Sequence, residues 1–272
     1  KNHQQFGAII ENHYIFEELK KKISQQKNIT IFCPNHYQEI NFSNEANVLL
    51  DNNISLVGKL LIACDGRFSK LREDFNITTT KKNYHQTAIV FKISHQFSHQ
   101  NIAHEKFLPS GPLAILPLVD GNQSSIVWIV DDNQAEVLLK LDTANFTQQL
   151  IKKMENCLGD CQIISEKFSY PLTMVLADKF YHEKMLLVGD SACGVHPIAG
   201  QGFNLAISNI VILKKLIADK IILGLDYSGD SLIAEYNNLA RNRSKKMVIA
   251  TDLLNTIFEA KCLTISIARK LG

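Results

Sequence analysis

The run Leu186–Ile217, LLVGDSACGVHPIAGQGFNLAISNIVILKKLI, decides the fold. Its first residues, Leu186-Leu187-Val188, predict a short buried strand. The strand stops at Gly189-Asp190, so a carboxylate stands just past its C-terminal end, where open α/β sheets bind ligands. A loop punctuated by His196, Pro197, Gly200 and Gly202 follows. Phe203, Ala206, Ile207, Ile210, Leu213 and Ile217 then fall at helical spacing, with Lys214, Lys215 and Lys220 toward the end, where cations suit the helix dipole. Backbone N–H groups at such a helix start can receive an electron-rich oxygen, and glycines let the chain approach it closely. Gly200-Gln201-Gly202 opens like GxGxxG, but Leu205 stands at the third glycine position and the loop lies well past the strand tip. It is therefore not read as the pyrophosphate loop of a first Rossmann strand. An ordinary strand–loop–helix connection shares these features, and the residues alone leave both readings open.

A second apolar run, Ile54–Cys64, predicts a strand that also ends in an acid beside a glycine, Asp65-Gly66, with Ser69 and Arg72 just beyond. Ahead of it come an apolar run over Phe6–Ile10, a helix over Ile15–Ile23 ending near Gln25, and a strand over Asn28–Cys33 halted by Pro34. Gln38–Phe42 and Ala46–Leu50 predict two more strands. Between the two acid-bearing strands the chain is β-rich. Thr87–Ile93, Ala103–Leu108, Leu113–Leu118 and Ser124–Val130, separated by turn residues, predict an antiparallel sheet in a layer of its own. Asn133–Lys140 and Ala144–Leu158 predict helices, and Gln162–Tyr170 a strand closed by Pro171. Downstream, Asp230 is the expected N-cap of a long helix. Its basic cluster, Arg241, Arg243, Lys245 and Lys246, is read as a solvated face in preference to a lipid-headgroup site.

Composition narrows the classes. The chain has 272 residues, 46% of them hydrophobic, enough for a real core. A formal charge of +2 gives no argument for nucleic acid. The longest apolar stretch, Leu205–Leu225, is broken by Lys214, Lys215, Asp219 and Lys220, so no span is predicted. Six cysteines, Cys262 among them, show no metal-ligand spacing, and reduced cytosolic thiols are the default. His85, His95, His99, His104 and His182 are scattered and read as surface.

Two motifs now carry a resemblance. Asp65-Gly66-Arg67-Phe68-Ser69-Lys70-Leu71-Arg72 fits Asp-Gly-x-x-Ser-x-x-Arg, and Gly189-Asp190 is followed by His196-Pro197-Ile198-Ala199-Gly200-Gln201-Gly202-Phe203-Asn204-Leu205. Together they resemble the FAD-dependent aromatic hydroxylases of the p-hydroxybenzoate hydroxylase type, and the His-Pro-x-Ala-Gly-Gln-Gly-x-Asn wording narrows this to the ubiquinone-biosynthesis branch. Phe6-Gly7 before Glu11, Gly111-Pro112-Leu113-Ala114, Trp128, Tyr170-Pro171-Leu172, Tyr236, Thr251-Asp252 and Phe258 agree with it, so the resemblance covers nearly the whole chain.

The resemblance implies an α/β fold with an α+β insert: an incomplete Rossmann-like FAD-binding domain, an antiparallel β-sheet substrate domain and a helical C-terminus. The expected division is 1–75 and 181–272 for the FAD-binding parts and 76–180 for the substrate domain. Asp190, after Gly189, would bind the ribityl hydroxyls of the flavin. Pro197, with His196 beside it, would sit at the reactive edge as the catalytic pair. Gly200, Gln201, Gly202, Phe203 and Asn204 would face the pyrimidine end, where the helix dipole favours negative charge. Asp65 and Gly66 would border the pyrophosphate and ribose, braced by Arg72. Phe107, Leu113 and Leu116 are candidate pocket lining, with core packing the better reading. The implied chemistry is hydroxylation of a polyprenylated phenol by FAD, NAD(P)H and O₂ through a flavin 4a-hydroperoxide, with no metal. The implied setting is cytoplasmic, peripheral on the inner membrane face, beside other ubiquinone-biosynthesis proteins.

Three positions depart from the family pattern: Cys193 where His or Gln is frequent, Asn209 where Asp is usual, and Cys64 where Ala is common. The family also opens with a strand, GxGxxG and a helix; these are not among the 272 residues and are expected to precede Lys1. Two functional readings therefore stand side by side. One is the distal part of a hydroxylase completed by that segment, and the other a non-catalytic remnant or subunit of a ubiquinone-biosynthesis assembly. A geranylgeranyl reductase or halogenase on the same scaffold fits the loop wording less well.

Overall fold

Helical and strand periodicities place most elements where the sequence predicts them in the computed structural model, which describes residues 7–259. Phe6 and Cys262 lie outside the described residues, as does the side chain of Phe258. In chain order the elements are α1 (Asn12–Ser24), β1 (Tyr37–Phe42), β2 (Ala46–Leu50), β3 (Ser55–Gly58), β4 (Leu61–Ala63), α2 (Lys70–Asp74) and β5 (Thr79–His95). There follow β6 (His104–Leu108), β7 (Gly111–Pro117), β8 (Gln123–Asp131), α3 (Asp132–Lys140), α4 (Thr143–Met154), β9 (Cys161–Ile163) and β10 (Phe168–Ala177). The last are β11 (Tyr181–His182), β12 (Met185–Leu187), β13 (Cys193–Gly194), α5 (Gln201–Ile222) and α6 (Asp230–Glu259). The chain folds into two units: residues up to Pro34 with Gln86–Pro171, and Asn35–His85 with Leu172 onward.

The first unit is an antiparallel sheet with helices on one face. β8 pairs with β5 and β7, β7 with β6, and β9 adds to β5. Alternation in β8 turns Ser124, Ile126 and Trp128 inward, as a half-buried strand requires. Asp142 caps α4 by accepting from Asn145 N at 2.7 Å, and Phe146, Leu150 and Met154, four residues apart, are fully buried. Phe146 stands edge-on to Phe91 and Trp128, with ring centroids 5.2 and 5.6 Å away. Gly111 has φ 126°, and a Cβ there would meet Ile129 O at 2.5 Å, so no other residue fits this strand start.

The second unit holds three short ladders: antiparallel β1-β2-β3, the β13–β10 pair, and β11-β12-β4, in which β12 and β4 run parallel. All three residues of β12 are buried, as expected of a parallel strand covered on both faces. α5 and α6 pack over this sheet, burying Leu205, Leu213, Leu216, Leu232, Ile233 and Tyr236. The Tyr236 hydroxyl donates to Leu187 O at 2.8 Å and pins α6 to β12.

Four sequence expectations change. Asn28–Cys33 is not a strand: Ile29, Ile31 and Phe32 are exposed, and no described strand pairs with it to satisfy its backbone. Ile54–Cys64 is two strands, because at Gly58-Lys59-Leu60 the chain leaves β2 for β12, a change of partner that an apolar run cannot reveal. Pro171 does not close a strand; it lies inside β10, in an exposed first half where its missing N–H is tolerated. His95 and His99 are buried rather than surface. His95 Nδ1 donates to Phe97 O (2.8 Å) while Nε2 accepts from Ser124 Oγ (2.9 Å). His99 accepts from Asn101 N and places Nε2 at 3.1 Å from Leu118 O and Asp120 O, so both imidazoles staple loops.

Phe146→Ala should destabilise the first unit by about 3–5 kcal/mol, because it empties a ring-sized volume between Phe91 and Trp128. Urea unfolding followed by Trp128 fluorescence measures it.

Candidate functional site

Parallel pairing brings the two acids together. Leu61, Ile62 and Ala63 align with Met185, Leu186 and Leu187, so Asp65 and Asp190 leave the same end of adjacent strands. Val188 N donates to Ala63 O at 3.0 Å, extending the ladder past β12. Ser191 is fully buried beneath the turn, with its hydroxyl 2.7 Å from Ala63 O and 2.9 Å from Val188 O.

Two guanidiniums lock the motifs across this seam. Arg72, only 2% exposed, donates to Ser191 O (2.7 Å) and Arg67 O (2.8 Å). Burial lowers its pKa, and the neighbouring carboxylates of Asp65 and Glu73 oppose that. Arg72 is thus a brace between the motifs, sealed from solvent. Arg67 donates to Thr173 O (3.0 Å), Asp190 Oδ2 (3.2 Å) and Val195 O (3.4 Å). Gly194 is required for this, since a Cβ there would meet Arg67 Nε at 2.5 Å. Asp65 Oδ2 accepts from Leu71 N and Ser69 Oγ from Arg72 N, so the first motif folds as a capped helical turn. Sequence reasoning missed Arg67, which sits at an unspecified motif position, and Gly194, whose need arises only from that side chain.

The loop before α5 is held by a buried ring. His196 is 1% exposed and meets Tyr84 edge-on at 4.7 Å. Its Nδ1 accepts from Ile198 N at 3.2 Å, so the neutral ring carries its proton on Nε2 and clamps the turn around Pro197. Burial pushes its pKa down to about 4, against the pull of Asp252, which is itself ion-paired with Lys82. Gly200 N closes the turn onto Pro197 O (2.9 Å), and Gly200 takes φ 61° with open space where a Cβ would stand. Gly202 likewise has only Val195 near its Cβ position, at 3.8 Å. No side-chain hydrogen bond caps α5 at Gly200, so the helix start, Gly202 and Phe203 included, lacks a side-chain cap. Phe203 and Asn204 are exposed, while Pro197 is half-buried.

This donor and acceptor set fits the isoalloxazine and ribityl part of a flavin. Asp190 is 39% exposed, and its Oδ1 accepts no hydrogen bond from the described residues. An uncapped helix start beside glycines suits a group that gathers negative charge. Leu113 is fully buried in the first unit and so is core, Phe107 is exposed and Leu116 half-buried. Cys193 is buried and its thiol pushed up to about 12, chiefly by burial, which makes it inert filling.

Because His196 is held neutral, its contribution to stability is complete above its unfolded pKa near 6.5 and is lost as pH falls toward 4. The loss amounts to about 3 kcal/mol at most. His196→Asn, which cannot titrate, should flatten the stability profile of the second unit over that window, as read by urea unfolding at stepped pH.

Comparison with known proteins gives the family. Residues 38–251 match the family described as FAD binding domain. The chain is 32% identical over 267 residues to "Ubiquinone hydroxylase UbiL" of Rhodospirillum rubrum, covering 98% of this chain and 62% of the relative. It is 31% identical over 253 residues to "Ubiquinone hydroxylase UbiM" of Neisseria meningitidis, covering 93% of this chain and 55% of the relative. The chain therefore spans less than two thirds of the length of these relatives. Its fold is that of PqsL, described as a probable FAD-dependent monooxygenase from Pseudomonas aeruginosa, with a TM-score of 0.76 at 16% identity over 90% of this chain and 69% of that one. Strand-end acids, glycine loop and family match converge: the chain belongs to the FAD-binding domain family, among relatives named as ubiquinone hydroxylases.

Proposed function

We propose that these residues form the flavin-ring side of an FAD-dependent monooxygenase that hydroxylates a polyprenylated phenol in ubiquinone biosynthesis. The observation that carries this is Asp190 beside the uncapped start of α5, at the end of parallel strands that Arg72 and Ser191 tie together. The names of the relatives in ubiquinone hydroxylation support the substrate class.

Each residue has a role in this reading. Asp190 Oδ1 accepts from the ribityl hydroxyls while Arg67 holds Oδ2 in place. The amides at Gly202 and Phe203 receive the electron-rich edge of the ring. Pro197 borders the reactive edge, and His196 positions it through the Ile198 amide instead of exchanging protons with solvent. Asp65 and Gly66 border the ribose and pyrophosphate. The antiparallel sheet over residues 76–180 is assigned to the substrate, and 1–75 with 181–272 to the cofactor. When bound, FAD supplies two-electron chemistry with NAD(P)H and oxygen transfer from O₂. Overall, one oxygen atom enters the phenol ring, the other leaves as water, and NAD(P)H is oxidised. A phenol is an electron-rich ring suited to such attack, and exclusion of water protects the transfer.

The test is ¹⁸O₂ labelling with a short-chain prenylphenol, NAD(P)H and FAD, on the polypeptide that carries these residues. One labelled oxygen per oxidised nicotinamide is the expected result. NAD(P)H consumption that yields only hydrogen peroxide, or no consumption, would overturn the proposal.

A further inference from the structure

Cys193 and Asn209, two positions at which the chain departs from the family pattern, meet on one hydroxyl. Asn209 occupies the inward stripe of α5 with Leu205, Leu213 and Leu216, where a polar side chain needs a partner. It donates through Nδ2 to Ser244 Oγ of α6 at 3.2 Å. The Ser244 hydroxyl is in turn hydrogen-bonded to the Cys193 side chain. A hydroxyl carries one proton, so with Nδ2 donating into its oxygen that proton is left for the sulfur. Cys193, Ser244 and Asn209 are 4%, 0% and 1% exposed, so no water competes. Cys193 is inert as a nucleophile, and here its sulfur serves as an acceptor.

The three residues stand on three elements that frame the loop. Cys193 lies on β13, opposite Leu176 of β10 and three residues after Asp190. Its neighbour Gly194 gives Arg67 the room to reach Asp190. Asn209 stands about two turns past the start of α5. The early part of α5 lies against the acid-bearing turn, with Ala206 Cβ 3.8 Å from where a Cβ on Gly189 would stand. Ser244 belongs to α6, which Tyr236 already pins to β12.

Charge accounts for a neutral pair here. Asn209 Oδ1 is buried and has no hydrogen-bond partner among the described residues. A carboxylate in its place would face no donor, which is costly in the interior. An amide and a thiol need no counter-ion. An acid at 209 needs a donor such as imidazole at 193, so the two departures fit each other and neither fits alone.

We infer that Cys193, Ser244 and Asn209 form one neutral hydrogen-bonded unit that positions the Asp190 turn against the start of α5, with Ser244 at its centre and positions 193 and 209 matched. The inference deepens the proposed function and rests on it, since the turn and the helix start are the two sides of the proposed flavin site.

The first test is a double-mutant cycle by urea unfolding of the 272-residue chain, with Asn209→Asp, Cys193→His and C193H/N209D. Asn209→Asp should raise the unfolding constant on the order of a hundred-fold at about pH 7. C193H/N209D should recover roughly ten-fold of that loss. An imidazole beside a carboxylate has a raised folded pKa. The recovery is therefore full below the unfolded value, near 6.5, and is lost as pH rises through the raised one, so at about pH 10 it is absent. Additive substitutions, or recovery that does not change with pH, overturn the matching. Should Asn209→Asp fail to fold, a folded C193H/N209D supports the matching and an unfolded one overturns it.

The second test separates positioning from bulk stability. Buried Cys193 reacts with iodoacetamide only when its cover opens. Ser244→Ala should speed alkylation at Cys193, read by mass spectrometry, roughly ten-fold more than it raises the unfolding constant, because the loop loosens while the unit stays folded. Equal increases in the two would make Ser244 a stabilising contact only and overturn the inference. Neither test uses flavin, so failure here counts against this unit, and failure of FAD binding counts against the flavin site.

Discussion

The pairing of two three-residue strands, β4 and β12, is the constraint on which the site depends. Parallel neighbours in a sheet lie about 4.8 Å apart. The register Ala63 opposite Leu187 therefore fixes where Asp65 and Asp190 emerge before either side chain makes a contact. Three residues give little ladder, and the structure compensates at the open end. Val188 N, the Ser191 hydroxyl and Arg72 all converge there on backbone oxygens: the first two on Ala63, and Arg72 on Ser191 and Arg67. Burying a guanidinium is costly unless its donors are satisfied, and Arg72 meets that condition with two carbonyls of the motifs it joins.

The same economy runs through the loop. Arg67 holds one oxygen of Asp190, and the other accepts no hydrogen bond from the described residues. Gly194 exists to give Arg67 room. His196 stays neutral because it is buried, and its neutral form is the one whose Nδ1 can accept the Ile198 amide. A protonated ring would lose that acceptor, so the shape of the turn around Pro197 is tied to the charge state of a residue that does not meet solvent.

Much of this was legible in the sequence. The apolar run ending in Gly189-Asp190 and the helical spacing after Gly202 announced strand, acid and helix start, and the spacing is realised in β12 and α5. The four β-rich runs separated by turn residues, read as an antiparallel sheet, are realised in β5 to β8. What was not legible depends on partners distant in the chain. The break at Gly58-Lys59-Leu60 reflects two different neighbours for one apolar run, and the hydrogen bond that settles buried His95 comes from Ser124 on another strand. Asn28–Cys33 has strand composition without a strand to pair with among the described residues. Arg67 carries no pattern at all, since its role is set by Thr173, Asp190 and Val195, which are over a hundred residues away.

The central claim is that Asp190 and the start of α5 form a flavin site. Its most direct measurement is FAD titration by fluorescence on the polypeptide carrying these residues, compared with Asp190→Ala and with Asp178→Ala, an exposed carboxylate in the same unit. Loss of a charged acceptor should weaken FAD by about ten- to a hundred-fold in Asp190→Ala, with Asp178→Ala binding as the parent does. Equal FAD affinity in the parent and Asp190→Ala would contradict the account.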